Sequence, residues 1–596
     1  MKDVLRIANC SGFYGDRLLA AKQMVEGGPI DVLTGDYLAE LTMSILWRTR
    51  QRDPDKGYAG TFVTQMEQVL GTCLERGIKI VSNAGGINPA GLAERIAKLS
   101  ADLGLTPRIA FVDGDDLLAR MSELMSSGQR FVHMDRGVPL SGLEVSPVTA
   151  NAYLGGWAIS EALSAGADLV ITGRVTDAAL VVGPSVWNFN WKRDDWDSLA
   201  GAVVAGHIIE CGAHCTGGNY SFFEEVPDIE RIGFPIAELH SDGSSVITKH
   251  PGTGGLVSVG TVTAQLLYEI GSPHYLNPDV TSLFESISLT QLGPDRVGVS
   301  GVEGEAPPPE LKVGINYPGG FKNSMTFGIA APATSKKAAI LESALWEVAG
   351  GQSQFAMVDV RLLGHETVDP ANNDEAVSYL RVSVMDPDPE KVGRRFSGAA
   401  VELALSSYPG FFLTTPPGEA APYAVFWPAT IPADLVPMRV VMDDREWEVS
   451  SVVPEAKQQA SSLKPPASHS DRQVMEATDD RSALTRVPLG SIAGARSGDK
   501  GGNANVGFWV RKVEEYRWMD QYLTTDRLHA MMPEADGLRI ERYELPNLLA
   551  LNFVVRGLLG EGVSSSSRTD PQAKSLGEFL RARWVEVPRV LIEGVR

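Results

Sequence analysis

Cysteine is scarce, with four in 596 residues. So few thiols cannot staple a secreted scaffold, and they suit a reducing cytosol. No run of about 18 uncharged apolar residues occurs, so no membrane span is expected. The N-terminal stretch "MKDVLRIANCSGFYGD" lacks a basic segment followed by a long apolar run, so no secretory signal is expected and the location reads as cytoplasmic. Positive charge is also short: Lys plus Arg total 53 against 74 Asp plus Glu, for a net charge of −21. Such a chain repels nucleic acid and anionic membranes at long range, which excludes both as partners. It can still hold a small anion through local donors. No G-x-G-x-x-G occurs, and Lys500 is followed by glycine rather than Ser or Thr, so neither a dinucleotide fingerprint nor a P-loop is present.

Glycine, in contrast, is plentiful at 61, and much of it follows short β-branched runs. "VLRIAN", "IDVLTGD", "IKIVSN", "RIAFVDGDD" and "ADLVITGR" each lead through a polar turn into a helical pattern. Apolar strands alternating with amphipathic helices predict an α/β domain with a mostly parallel sheet flanked by helices. Ligands in such domains sit beyond the carboxyl ends of the strands. From about Phe234 the pattern becomes mixed α+β, which leaves open whether residues 1–453 form one domain or two lobes split near 234. Residues 454–484 are polar and proline-bearing and read as a linker; 485–596 read as a small C-terminal α+β sandwich.

Candidate chemistry lies in the turns. "NAGGINP" (83–89) follows a strand and opens a helix. Gly85 and Gly86 let a ligand approach the backbone, Asn83 and Asn88 offer amides, and the alternative is a plain turn with Asn88 as cap. In "TGRVTDAAL", Arg174 suits a bidentate carboxylate or phosphate and Asp177 serves as a base, or the two form a structural pair. Asp36 and Ser11 stand at two further strand ends, with Asp36 either an acid–base group or a helix cap. In "GHIIECGAHCTGG", His207, Cys211 and Cys215 share a helical spacing. The glycines would break that helix and CxxxC is not a zinc spacing, so no metal is assigned. Cys211 is then a nucleophile beside Glu210 or a buried thiol. Gly252, Thr253, Gly254 and Gly255 read as an anion nest or a turn. "ARSGDKGGNANVG" (495–507) reads as a cradle with Arg496 and Lys500 as its cations, or as a surface turn.

In this order, "NCSGFYGDR", "GDYLAELTM", "NAGGINP", "TGRVTDAAL", "ECGAHCTGG", "PGTGGLVSVGTVTAQLLYEI" and "LNPDV" resemble the acyclic terpene utilisation protein A family over roughly residues 4–450. The C-terminal unit resembles the ferredoxin-like domain that follows the main domain in some members. The resemblance implies a place in the breakdown of citronellol- and geraniol-type terpenes, whose intermediates are acyl-CoA thioesters. It carries over no catalytic step. The resulting expectation is an enzyme acting on a branched carboxylic acid or its coenzyme A thioester by lyase, hydratase or hydrolase chemistry. It needs no redox cofactor and forms a homo-oligomer. The alternatives are a non-catalytic acyl-CoA-binding or scaffold protein of the same route, and a metal-dependent hydrolase.

Overall fold

Each short run of buried β-branched residues forms a strand, and the element that follows decides its direction. A computed structural model describes residues 2–451 and 484–592. The expected linker, 454–484, lies outside the described residues except for Leu484. The strands Val4–Asn9, Val32–Gly35, Lys79–Ser82, Leu169–Thr172 and Ile109–Asp113 pair in parallel, in that spatial order. Each but the last is buried along nearly its whole length, as a strand covered on both faces must be.

The full sheet has eleven strands and is mixed, which corrects the expectation of a mostly parallel sheet. Pro235–His240, Ser245–Lys249, Arg296–Ser300 and Ser288–Gly293 extend one side antiparallel, and Met438–Met442 with Arg445–Val449 extend the other. Within the flanks the reason is local: the turns at 241–244, 294–295 and 443–444 leave no room for the crossover that a parallel pair requires.

One long strand, Glu310–Ala330, joins this core to a second layer. Its first half pairs with Thr149–Ala152 from the core on one side and, from Glu310 to Lys322, with Ala421–Pro432 on the other. Its second half pairs with Val377–Asp386, beyond which Met357–Leu363 forms the edge. Helix Thr334–Ala349 and helix Phe396–Glu402 cover one face of that half around a core containing Phe327, Leu345 and Phe396.

The C-terminal unit is a four-stranded antiparallel sheet, Gly494–Lys500, Asn503–Trp509, Ala550–Val555 and Ile540–Leu545, backed by helices. It docks on the core through buried amides. Asn505 Nδ2 donates to the Leu267 carbonyl at 2.7 Å while its Oδ1 accepts from the Glu269 N–H at 2.9 Å. Asn552 Nδ2 donates to the Gly271 carbonyl at 2.8 Å. An exposed bidentate pair, Arg511 with Glu225 at 2.7 and 2.8 Å, adds to the same junction.

These contacts differ in weight. Asn505→Ala leaves the Leu267 carbonyl and Glu269 N–H buried and unpaired, at a cost of about 1–3 kcal/mol each. Arg511→Ala removes a solvated ion pair worth at most about 1 kcal/mol. Chemical denaturation of the two variants is expected to show a clear loss for the first and little change for the second.

Candidate functional site

All five parallel strands finish at one edge of the sheet, and each delivers a polar side chain there. They are Asn9, Asp36, Asn83 and Arg174, with Asp115 just beyond the fifth strand. Asn83 Nδ2 donates to Asp36 Oδ1 at 2.6 Å, and the Tyr37 N–H donates to Asn83 Oδ1 at 2.8 Å. The Arg174 N–H and Asn151 Nδ2 both donate to Asp115 Oδ2, at 2.9 and 2.8 Å. The Arg174 guanidinium donates to Asp177 Oδ1 at 2.8 Å and to the Leu38 carbonyl at 3.2 Å, and it lies 4.2 Å from the centre of the Tyr153 ring.

Other elements build the walls. Lys312, on the long strand, lies 3.2 Å from Glu40 Oε1, which also accepts from the Tyr153 hydroxyl at 3.3 Å. The buried helix Trp196–Ile209 brings His207 and leads into Glu210 and Cys211. Tyr268 and Glu269 follow helix Val259–Leu266. The C-terminal unit closes the remaining side with Arg496, Asp499, Lys500 and Lys574. Lys500 Nζ donates to the Glu269 carbonyl at 2.9 Å. Lys574 Nζ touches the Tyr268 hydroxyl and lies 3.3 Å from Glu269 Oε1 and 3.6 Å from Asp499 Oδ1. Arg496 stacks 4.5 Å from the Tyr268 ring centre, with Nη2 3.1 Å from the His214 ring nitrogens.

Burial is the largest influence on the ionisation of these groups, yet several keep open surface. The side chains of Lys312, Glu269 and Lys574 retain 35%, 38% and 37% of theirs. Open surface within a protein shell is a chamber. Beside it lies a narrow cleft whose lining includes Glu40, Leu41, Phe426, Asp499, Gly501 and Glu561. Some polar atoms of the cluster make no hydrogen bond: Arg174 Nε, Glu210 Oε2 and both His207 ring nitrogens, while Asp499 Oδ1 has only its ion pair with Lys574. His207 Nδ1 is 3.2 Å from Glu210 Oε1 but poorly aligned for a hydrogen bond. Buried polar atoms in native proteins are nearly always bonded, to protein or to ordered water, so these atoms can take a further polar partner.

The electrostatics divide the carboxyls. Burial, then Asp177, push Asp36 well above the usual carboxylate range, against Arg174 and Asn83. Burial, then Asp177 and Glu269, do the same to Glu210. Burial and Glu40 raise Glu269 to about 8, and burial and Glu269 raise Asp499 to about 8. Glu40 goes the other way, to about 2: burial opposes its charge, but Lys312 and Arg174 outweigh it. Burial also opposes the charge of Arg174, and Asp177, Tyr153, Asp36 and Glu40 more than restore it. Burial and Lys500 lower His207 to about 4, so its imidazole is neutral at pH 7.

Of the residues singled out in the sequence, Asp36, Arg174, Asp177, Cys211, Arg496 and Lys500 meet here, with Asn83 holding Asp36 from behind. Ser11 is buried beside them. Its carbonyl accepts from the Asp36 N–H at 2.9 Å and its hydroxyl donates to the Phe13 carbonyl at 3.0 Å. Asn88 caps helix Pro89–Asp102, accepting from the Gly91 N–H at 3.1 Å, and its Nδ2 donates to the Lys56 carbonyl at 3.0 Å. Gly85 packs on Thr172 and Pro89, and Gly86 on Leu46 and Gly57. Gly252 is open to solvent, while Thr253, Gly254 and Gly255 pack on 216 and 228–233, apart from every group of the chamber named above. Lys312, Glu269, Asp499, Lys574 and Tyr153 carry no signal in their local sequence. Asp499 sits inside the stretch 495–507, and Glu269 near the end of the stretch 251–270 that carries the family resemblance, but neither was singled out there.

The architecture is that of a two-part α/β protein whose ionic chamber is completed at the junction of the parts. Residues 5–442 match the model of the acyclic terpene utilisation family protein AtuA, and residues 487–586 match the AtuA ferredoxin-like domain. The chain belongs to the AtuA family, which is implicated in acyclic terpene utilisation. No curated protein matches it.

The raised carboxyls make stability depend on pH. Glu269 keeps a proton when folded that the unfolded chain releases above about 4.5, so its contribution falls as pH rises from about 4.5 to about 8 and is level beyond. Glu269→Gln removes that loss. Thermal unfolding is expected to show the variant gaining on the parent at pH 8.5 and matching it near pH 4.

Proposed function

We propose that the protein is an enzyme of branched carboxylic acid or acyl-thioester breakdown, working by proton transfer in a lyase, hydratase or hydrolase step without a redox cofactor. One observation carries this reading: buried carboxyls and fixed cations are gathered in one cluster beyond the strand ends. Asp36 and Glu210, pushed towards the protonated form by burial, donate a proton. Asp177, bound to Arg174 and with a third of its side chain open, accepts one. Arg174, which is buried, and Lys500, at the rim on the junction strand, hold the oxygen on which negative charge grows.

Cys211 has no part in this scheme. Burial and the neighbouring Glu210 push its thiol well above the ordinary range, so the reactive thiolate is scarce. The cleft narrows the substrate. Three acids and no cation line it, so what threads it is an alkyl or other neutral chain. The phosphates of a coenzyme A would lie outside it.

The test is a panel of branched and unsaturated carboxylic acids and their thioesters, followed by mass spectrometry. Asp177→Asn is expected to lower turnover by about 10²–10⁴-fold with binding retained, the usual worth of a positioned acid or base. Arg174→Lys is expected to weaken binding, because an ammonium cannot replace the two-pronged guanidinium. Binding without turnover across the whole panel would favour a non-catalytic carrier or scaffold of the same route.

A further inference from the structure

The outermost strand of the second layer, Met357–Leu363, has one neighbour, Val377–Asp386, and its other edge is bare. Among the described residues, its backbone makes no hydrogen bond beyond that ladder. Proteins usually blunt such an edge with proline, a bulge or a covering loop, because a row of free N–H and C=O groups templates further strands. This strand has none of these. Its register against Val377–Asp386 is continuous over seven residues, and Met357 and Leu362 stand 41% and 39% exposed.

The sequence of the strand, MVDVRLL, is complementary to itself. We propose that a second copy of this chain pairs with this edge, antiparallel, about a twofold axis through Val360. That register sets Met357 against Leu363, Val358 against Leu362, and Asp359 against Arg361 on both sides of the axis. Neighbouring registers fail. A slip of one residue puts the helix-covered face of one copy in line with the open face of the other. A slip of two sets Asp359 against Asp359 or Arg361 against Arg361, and like charges directly opposed are destabilising.

Charge within one copy points the same way. Arg361 and Arg381 are direct partners in the ladder, a like-charge pair. Asp359 is the carboxylate at hand, bonded to Arg361 at 2.8 Å, and Arg381 has no ion-pair partner among the described residues. In the dimer each Arg361 lies between its own Asp359 and the partner's Asp359, and the four charges at the axis alternate in sign. The two sheets become one, with both helical layers on the same side.

Light scattering on the full chain is expected to give a mass of about 128 kDa, twice the 64.0 kDa chain. Asp359→Arg is expected to yield monomer, since it opposes arginines across the axis, and so is Arg361→Asp. The double exchange Asp359→Arg with Arg361→Asp restores the complementarity and is expected to restore the dimer. As a second measurement, Met357→Cys with Leu363→Cys is expected to form an intermolecular disulfide on oxidation, while each single variant does not. A monomeric parent overturns the proposal. So does a dimer that survives both single charge reversals, or a double cysteine variant that stays uncrosslinked while dimeric.

Discussion

The structure depends on keeping Arg174 charged where water hardly reaches it. Its side chain is 5% exposed, and a lone guanidinium in such a place would be destabilising by several kcal/mol. Asp177 holds it directly and Tyr153 lies beneath it, with Glu40 and Asp36 close by. Each of these answers to something else in turn. Asp36 is fixed by Asn83, Glu40 by Lys312, and the Arg174 backbone by Asp115, itself tied to Asn151. Strand ends and the long strand of the second layer are thus joined by one network of charge.

That network explains why neighbouring carboxyls behave so differently. Glu40 sits between two cations and stays ionised. Asp36 and Glu210 feel chiefly burial and then Asp177, Glu269 burial and then Glu40, and Asp499 burial and then Glu269, and all four are pushed towards holding a proton. Like charges sharing an enclosed space cannot all ionise, so the chamber sorts its acids into donors and acceptors without a change of residue type. The cations of the C-terminal unit bear on the balance. Lys500 favours the ionised form of both Glu210 and Glu269, so the state of groups on the core is set partly from the other side of the junction.

The parallel centre of the sheet was legible because each strand is followed by a helix-forming stretch that must cross over. The antiparallel flanks were not, because a hairpin strand and a buried parallel strand share the same apolar residues, and only the intervening turn separates them. The strand-end groups Asp36, Asn83, Arg174 and Asp177 were legible for the same topological reason. Lys312, Glu269 and Lys574 come from three other elements. Nothing in the spacing around a residue says which distant wall it will join. The glycine-rich turn at 252–255 shows the converse difficulty. Conformational freedom is written in the sequence, but whether it serves a ligand or a neighbouring loop is decided by packing.

The stretch 495–507 shows how both kinds of information combine. It looks like a loop, yet 494–500 is a strand, and a strand sends alternate residues to opposite faces. On one face stand Arg496, Gly498 and Lys500. Arg496 stacks on Tyr268, and Lys500 reaches the Glu269 carbonyl. Gly498 lies so close to the Tyr268 ring that a Cβ there would come within 2.5 Å of it. On the other face, Ser497 bonds the Ala573 carbonyl and Asp499 pairs with Lys574, both within the C-terminal unit. The sequence cation–glycine–cation at period two is therefore a wall: the glycine brings the strand against the core, and only at that distance can the two flanking charges enter the chamber. A larger residue at 498 would hold both cations back together, so the glycine acts on the site's electrostatics through distance alone.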